Sequence, residues 1–554
     1  MPERAEVSTT GRGGYSASIR PRKGKDTLST VREVTYDLLR SLEITTIFGN
    51  PGSTELTFFK DFPEDFTYVL GLQESVALGM ADGYAQATRK ATLVNLHTAP
   101  GLGNAMGAMV NAYHNRTPLV VTAGQQDRRH LALEPLLFGR LVELAKPYVK
   151  WSHEPARAED VPGAIERAYH TAMQQPRGPA FVSIPIDDWE AEALPSEKRN
   201  VSYRTGPDPE DLARVARVLE ESRRPAIVAG SDVDRAGAWD GLVRLAEKAR
   251  AAVWTEGLPS RAGFPQDHPL FRGFLALARP QIAEQLADYD VVLVLGTPVF
   301  RYYPYVEGPV VKPDTDVVQV TDDPEEASRA AVGMSLVGDI ALAVRRLLEL
   351  LPEANRPALP ARQATAVPEA VTPMSVDYVM YTLNDALPEG AVIVDESVSS
   401  ESKLHEYIRI NRSDAYYSTG GGGLGFAMPA AVGVQLAYPD RPVVCVVGDG
   451  STNYAPQALW TAARYDAPVT YVVINNSQYG ILKAFGEFAG IEEEIPGLDL
   501  PELDIVQVAK GYGCEGESVQ HPEKLANALE RALGSGRPRL VNALVDPSVP
   551  DLPG

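Results

Sequence analysis

Val443-Val444-Cys445-Val446-Val447-Gly448-Asp449-Gly450-Ser451, read with Tyr471-Val472-Val473-Ile474-Asn475-Asn476, decides the fold. Each apolar run is short and continuous, as expected of a strand buried on both faces of a parallel sheet. Asp449 and Asn476 therefore sit where strands end, the side of an open α/β sheet where ligands bind. Gly448 and Gly450 let backbone N–H groups approach a phosphate closely. A carboxylate and an amide oxygen are hard donors suited to Mg2+ or Ca2+. Together the two segments predict a divalent cation holding a diphosphate.

Around this motif the 554-residue chain is too long for one core, and three domains are the natural expectation. Hydrophobic (44%) and charged (23%) fractions describe a globular protein, and a net charge of −21 makes nucleic acid and anionic membranes poor partners. Two cysteines, Cys445 and Cys514, cannot make a disulfide framework or a zinc site, so a reducing cytoplasm is expected. No apolar stretch reaches the ~20 residues of a membrane span. Residues 1–28 lack the apolar core of a secretory signal and read as a disordered tail.

Three doubly wound α/β blocks follow, at 29–194, 210–351 and 374–548, joined by polar or proline-rich linkers at 195–209 and 352–373. The first carries strand-like Thr45–Phe48, Thr92–Leu96, Leu119–Thr122 and Ala180–Ile184. The second carries Ala226–Gly230 and Val291–Gly296. The outer blocks share a plan of glycine-rich turns after apolar strands, hinting at related halves.

In the first block Glu74 lies between the apolar segments Tyr68-Val69-Leu70 and Val76-Ala77-Leu78-Gly79-Met80. These neighbours predict a buried carboxyl, whose pKa rises to avoid an unpartnered charge. Such a group is suited to sharing a proton with a heterocyclic nitrogen. His97 follows a strand end, where an acid/base group titrating near neutral pH is useful.

The Gly448–Asn476 segment resembles the diphosphate-binding motif of thiamine diphosphate (ThDP) enzymes, which opens on GDG and closes on NN. The resemblance covers nearly the whole chain beyond the tail and is strongest to 2-oxo acid decarboxylases of the benzoylformate decarboxylase group. Its carriers include Phe48-Gly49-Asn50-Pro51-Gly52-Ser53, Phe62-Pro63-Glu64-Asp65-Phe66 and Ala81-Asp82-Gly83-Tyr84-Ala85-Gln86-Ala87. Further carriers are Thr122-Ala123-Gly124-Gln125-Gln126, Pro298-Val299-Phe300-Arg301-Tyr302 and Gly422-Gly423-Leu424-Gly425-Phe426-Ala427.

The resemblance implies pyrimidine-binding, central and diphosphate-binding domains. It also implies that the cofactor bridges the first domain of one subunit and the third of another, in a homodimer at minimum and a homotetramer by expectation. Position by position, Asp449, Asn476 and the Gln478 carbonyl would bind the metal, with Gly448, Gly450, Ser399, Ser451 and Tyr479 along the diphosphate. Glu74 would bond the aminopyrimidine, Gly422 would offer its 4′-amino group a carbonyl, and Leu424 would bend the cofactor. Ser53 would contact the substrate carboxylate and His97 would move protons. Leu136, Leu137, Tyr303, Ser418, Ile481 and Phe485 would line the substrate pocket.

Three positions depart from that pattern. Tyr303 replaces a second catalytic histidine, and a tyrosine titrating near ~10 cannot readily cycle protons at neutral pH. His405 is a remote substitute, expected on a helix surface. Ile481 replaces a small residue and narrows the pocket, whereas Ser418 replaces an aromatic ring and opens it. The implied activity is non-oxidative decarboxylation of an aryl 2-oxo acid to an aldehyde, with carboligation on the side. The alternatives are a carboligase or aldehyde lyase on this scaffold, a flavin-assisted acetolactate synthase-like enzyme lacking support from any dinucleotide fingerprint, and a silent binding protein.

Overall fold

The computed structural model describes residues 28–195, 199–550 and 552; Leu28 apart, the expected tail lies outside them. Three six-stranded sheets, each wholly parallel, form three α/β domains. The first holds β1 (Thr46–Gly49), β2 (Thr67–Leu70), β3 (Thr92–Leu96), β4 (Leu119–Gln125), β5 (Ser152–His153) and β6 (Ala180–Pro185). The central sheet holds β7 (Pro225–Ala229), β8 (Ala252–Thr255), β9 (Phe271–Phe274), β10 (Val291–Leu295), β11 (Asp316–Thr321) and β12 (Met334–Val337). The third holds β13 (Val392–Glu396), β14 (Tyr416–Tyr417), β15 (Val443–Gly448), β16 (Thr470–Asn475), β17 (Glu515–Val519) and β18 (Arg539–Leu544).

The strand orders are β2-β1-β3-β4-β6-β5 in the first sheet and β14-β13-β15-β16-β18-β17 in the third. These are one topology used twice, as the shared glycine-turn plan suggested. The central sheet differs, running β9-β8-β7-β10-β11-β12. In the outer domains strand order reverses between the first and third strands of each sheet. The crevice at such a reversal is where open α/β sheets bind ligands.

Side-chain alternation explains the core. Along β15, Val443, Cys445 and Val447 face one apolar cluster while Val444 and Val446 face another. The first cluster continues through Val94, Leu96 and Val121 of the first domain, so the outer domains share one core. Their contact is made by helices α1 (Glu74–Thr88) and α4 (Ala427–Ala437), with α2 (Thr98–His114), α3 (Glu401–Tyr407) and α5 (Gly480–Phe488) nearer the crevices. A Cβ at Gly433 would lie 1.9 Å from the Met80 carbonyl oxygen, so the backbones of α1 and α4 meet only because glycine stands there.

Charge ties the central domain on. Arg116 of the first domain meets Asp232, Asp322 (2.8 Å) and Glu326 (2.5 Å), and buried Arg261 meets Asp234 (2.6 Å) and Asp414. β4 extends past the expected Thr122 because Ala123–Gln125, weak strand formers, pair with Ser183–Pro185, and Gly124 N donates to Glu55 at 2.9 Å.

Candidate active site

The predicted site residues gather in two groups, one at each outer-domain crevice. In the first domain, Gly52 ends a turn leading into the short 3-10 helix Ser53–Glu55. Glu55 is 1% exposed and accepts hydrogen bonds from Gly52 N (2.8 Å), Gly124 N (2.9 Å) and Thr54 Oγ1 (2.7 Å). Its Oε2 also stands 2.9 Å from His97 Nδ1, and Thr54 Oγ1 lies 3.1 Å from the same nitrogen. The hydrogen bond to Glu55 raises the His97 pKa above its usual 6.5, against the opposing effect of burial. A Cβ on Gly52 would fall 2.1 Å from His97 Nδ1, so the turn must carry glycine to admit the ring.

Glu74 belongs to this group but is not buried within the chain. It is the first residue of α1, and helical side chains lean toward the N-terminus, so its carboxylate projects past the helix end. The neighbours Val76–Met80 supply the apolar core instead. Asn104 Nδ2 donates to Glu74 Oε2 at 3.1 Å, and the Glu74 charge contributes to raising the pKa of His97. Ser53 is exposed at the crevice edge. Leu136 is 87% exposed and Leu137 holds a left-handed φ of 69°, in a loop fastened by Gln125 Nε2 donating to Gly139 O.

The second group lies beyond β13, β14, β15 and β16. Parallel pairing puts Gly448 opposite Ile474, which brings Asp449 beside the Asn475–Gln478 loop. Asp449 is 4% exposed; Oδ1 accepts from Gly450 N at 2.9 Å, while Oδ2 has no hydrogen-bond partner. Burial pushes its carboxyl up to about 6, offset in part by backbone N–H groups of Gly450, Ser477 and Gln478. Asn476 Oδ1 accepts from Gln478 N at 3.3 Å. The Gln478 side chain is engaged elsewhere, donating to Pro547 O and accepting from Lys483 Nζ at 2.6 Å. Ser399 Oγ accepts from Ile481 N at 3.0 Å, the Tyr479 ring lies against Gly450, and Ser451 is buried. Among the described residues no three His, Cys, Asp or Glu side chains form a metal cluster; this crevice offers one carboxylate, one amide and a backbone carbonyl.

The glycine loop between these elements is held from both outer domains. Glu396 accepts from Gly425 N, Phe426 N and Ala427 N, each at 2.7 Å, and burial pushes its carboxyl up to about 7. Asn111 of α2 donates to Gly423 O at 2.9 Å, and Asn115 Oδ1 accepts from Gly420 N at 2.6 Å. Gly422 is thereby fixed with φ at 70°, and Leu424 is half-buried beside it.

A cavity of about 920 Å3 opens between the third and central domains. Tyr303, Ser399, Ser418, Gly422, Ile481 and Phe485 all line it, and the Tyr303 and Phe485 rings lie 5.1 Å apart. None of Ser53, Glu74, His97, Leu136 or Leu137 is in its wall. Within one chain the two groups therefore do not share a cavity. His405 is in the wall, and the expectation of a surface position for it fails: it is 8% exposed, stacked on Phe274 at 4.2 Å. The face of α3 that carries it is covered by the central domain, a packing partner invisible in helical periodicity.

Glu55, Glu396, Asn111 and Asn115 were not picked out in the sequence. Glu55 had a local signal, a Gly-x-x-Glu spacing that lets the N3 carboxylate cap the turn. Glu396 is the last residue of the strand Val392–Glu396, a buried-strand acid needing donors. The asparagines act across domains and leave no local trace.

Models described as thiamine pyrophosphate enzyme N-terminal TPP-binding, central and C-terminal TPP-binding domains match residues 29–142, 212–347 and 398–543. A benzoylformate decarboxylase of Pseudomonas aeruginosa is 44% identical over 93% of this chain and 98% of its own length. The crystal structure of benzoylformate decarboxylase from Polynucleobacter necessarius superposes with a TM-score of 0.92 at 43% identity, covering 94% of this chain and all of that one. A 4-hydroxybenzoylformate decarboxylase of Rhodococcus jostii RHA1 gives 0.90 at 41%, covering 94% and 99%.

Proposed function

This chain belongs to the thiamine pyrophosphate (ThDP) enzyme family, and from that premise we propose that it is a carboxy-lyase converting an aryl 2-oxo acid to an aldehyde and carbon dioxide. The observation that carries this reading is the full-length 44% match to a benzoylformate decarboxylase. Benzoylformate-type acids are the preferred substrates.

The third-domain crevice fits the cofactor. Asp449 Oδ2 is a buried carboxylate oxygen without a partner, as a cation ligand would be before the cation binds. Asn476 Oδ1 and the Gln478 carbonyl would complete the set around Mg2+ or Ca2+. Gly448, Gly450, Ser399, Ser451 and Tyr479 would hold the diphosphate, with Leu424 and the Gly422 carbonyl beside the rings. When bound, the cofactor supplies a nucleophilic carbon and the electron sink for decarboxylation.

The chain's own residues hold and move protons. Glu74 offers its Oε atoms to the cofactor's pyrimidine. His97 Nδ1 is engaged by Glu55, which leaves Nε2 as the atom that gives or takes the proton. The Ser53 hydroxyl donates to the substrate carboxylate. Tyr303, beside Phe485, donates a hydrogen bond where a titrating histidine would cycle a proton. Slower proton delivery leaves the nascent product open to an acceptor aldehyde, so Tyr303 favours carboligation as a second activity.

The two groups complete one site when subunits pair, the first domain of one facing the third of the other. Exposed apolar side chains flank each group: Leu56, Leu72 and Leu136 near the first, Val398, Tyr454 and Leu482 near the second. Such surface suits burial against a second copy. A homodimer is the minimal active unit and a homotetramer the assembled form. Among the described residues no helix is long and apolar enough to cross a membrane, and two free, buried cysteines suit a reducing cytoplasm.

The test is carbon dioxide release from benzoylformate, phenylpyruvate and branched 2-oxo acids, with and without acceptor aldehyde. The reading expects benzoylformate to lead. Release from no acid, alongside cleavage of hydroxyketones, would identify an aldehyde lyase instead.

A further inference from the structure

The glycine loop is gripped by a side chain that takes no part in proton transfer. Asn111 of α2 is 2% exposed and meets Gly423 at both backbone groups: Nδ2 donates to Gly423 O at 2.9 Å, and Oδ1 accepts from Gly423 N at 3.1 Å. Oδ1 also accepts from Thr419 Oγ1 at 3.0 Å. These partners fix which side-chain atom is the oxygen, because the opposite assignment would set an amide donor against a backbone donor. The approach requires glycine, since a Cβ at position 423 would lie 2.6 Å from Asn111 Oδ1.

The Gly423 N–H belongs to the same peptide unit as the Gly422 carbonyl, and in a trans peptide the two point in opposite directions. With the N–H held by Asn111, the Gly422 oxygen is turned away from α2. It accepts no hydrogen bond among the described residues. Gly422 lines the cavity, and nothing lies within 4 Å of where its Cβ would stand. Glycine flanks this peptide on both sides, so without the clamp it rotates at little steric cost.

We propose that Asn111 is a positioning residue: by holding the Gly423 N–H it presents the Gly422 carbonyl to the 4′-amino group of the bound cofactor. This rests on the ThDP reading and brings the first domain of the same chain into the third-domain crevice. The amide does so without touching the cofactor, acting only through the peptide it orients.

The experiment measures dissociation constants by calorimetry, with Mg2+ present, for ThDP and for 4′-deamino-ThDP, which lacks the hydrogen-bond donor. Wild type should bind ThDP the more tightly. In Asn111→Ala that preference should shrink about fivefold, the worth of one ordinary hydrogen bond, because the freed carbonyl no longer discriminates. Asn111→Ser should do the same, which keeps the test open if the alanine variant folds poorly. Thr419→Val removes a bond to Oδ1 but leaves Gly423 clamped, and should retain the wild-type preference. Melting temperatures without cofactor establish that each variant is folded. Equal weakening of both cofactors in the Asn111 variants, with the preference intact, would mean that Asn111 only stabilises the loop and would overturn the proposal. Binding of neither cofactor by wild type would overturn the ThDP reading as well.

Discussion

His97 Nδ1 lies 2.9 Å from Glu55 Oε2, and Glu55 is otherwise fully engaged by two backbone N–H groups and a threonine hydroxyl. The carboxylate thus fixes both the orientation of the ring and its protonation. Replacing Glu55 with Gln should lower kcat by roughly 10- to 100-fold, within the range of general acid–base effects. It should also move the pH-profile limb belonging to His97 toward lower pH. A limb that stays in place would show that Glu55 serves folding alone.

The same pair links stability to pH. The folded-state pKa of His97 is raised, so the stabilisation is fully present below the usual 6.5 and is lost as pH rises through the raised value. Melting curves of wild type and Glu55→Gln should therefore diverge most in acid and converge on the alkaline side. The pH-independent hydrogen bonds from Gly52 and Gly124 remain as a constant offset.

Asp449 Oδ2, buried and unpaired, predicts that cation and diphosphate bind together. Thermal melting with ThDP alone should shift little, and ThDP with Mg2+ should shift strongly, as mass action on the native state requires. Asp449→Ala should abolish the joint shift. Equal shifts with and without the metal would remove the cation from the account.

Much of the fold was legible because strands buried on two faces announce themselves as apolar runs: Val443–Val447 and Tyr471–Ile474 both fall inside strands. Asp449 and Asn476 were legible for the same reason, standing at strand ends. What escaped depends on contacts between distant segments. Glu74 looked buried because its sequence neighbours are, yet the start of a helix turns its side chain outward. His405 looked exposed because α3 carries charges, yet β9 of another domain covers it. The grip of Asn111 and Asn115 on the glycine loop joins the first domain to the third, which periodicity cannot report.

Tyr303 is 61% exposed and packs against Phe485 across the cavity wall. Tyr303→His would introduce a group that titrates near neutral pH at this position. Decarboxylation should accelerate by about tenfold, a modest share of a general-acid effect. The fraction of hydroxyketone formed with an acceptor aldehyde should fall in parallel. Unchanged partition would mean that protons arrive by another route.

Gly433 tests the shared core of the outer domains. A methyl group there meets the Met80 carbonyl at 1.9 Å, and the backbones of α1 and α4 must separate to admit it. Gly433→Ala should cost about 3 kcal/mol in denaturant unfolding, an overpacking penalty at the upper end of its usual range. Wild-type stability in this variant would contradict the packing described.

The central claim is that Glu74 of one subunit works with Asp449 and Asn476 of another. Complementation tests it most directly: Glu74→Gln and Asp449→Asn chains, each inactive alone, are unfolded together and reassembled with ThDP and Mg2+. Random pairing should restore about a quarter of wild-type activity, because each mixed dimer regains one intact site. Mixed dimers confirmed by mass, yet without activity, would contradict it.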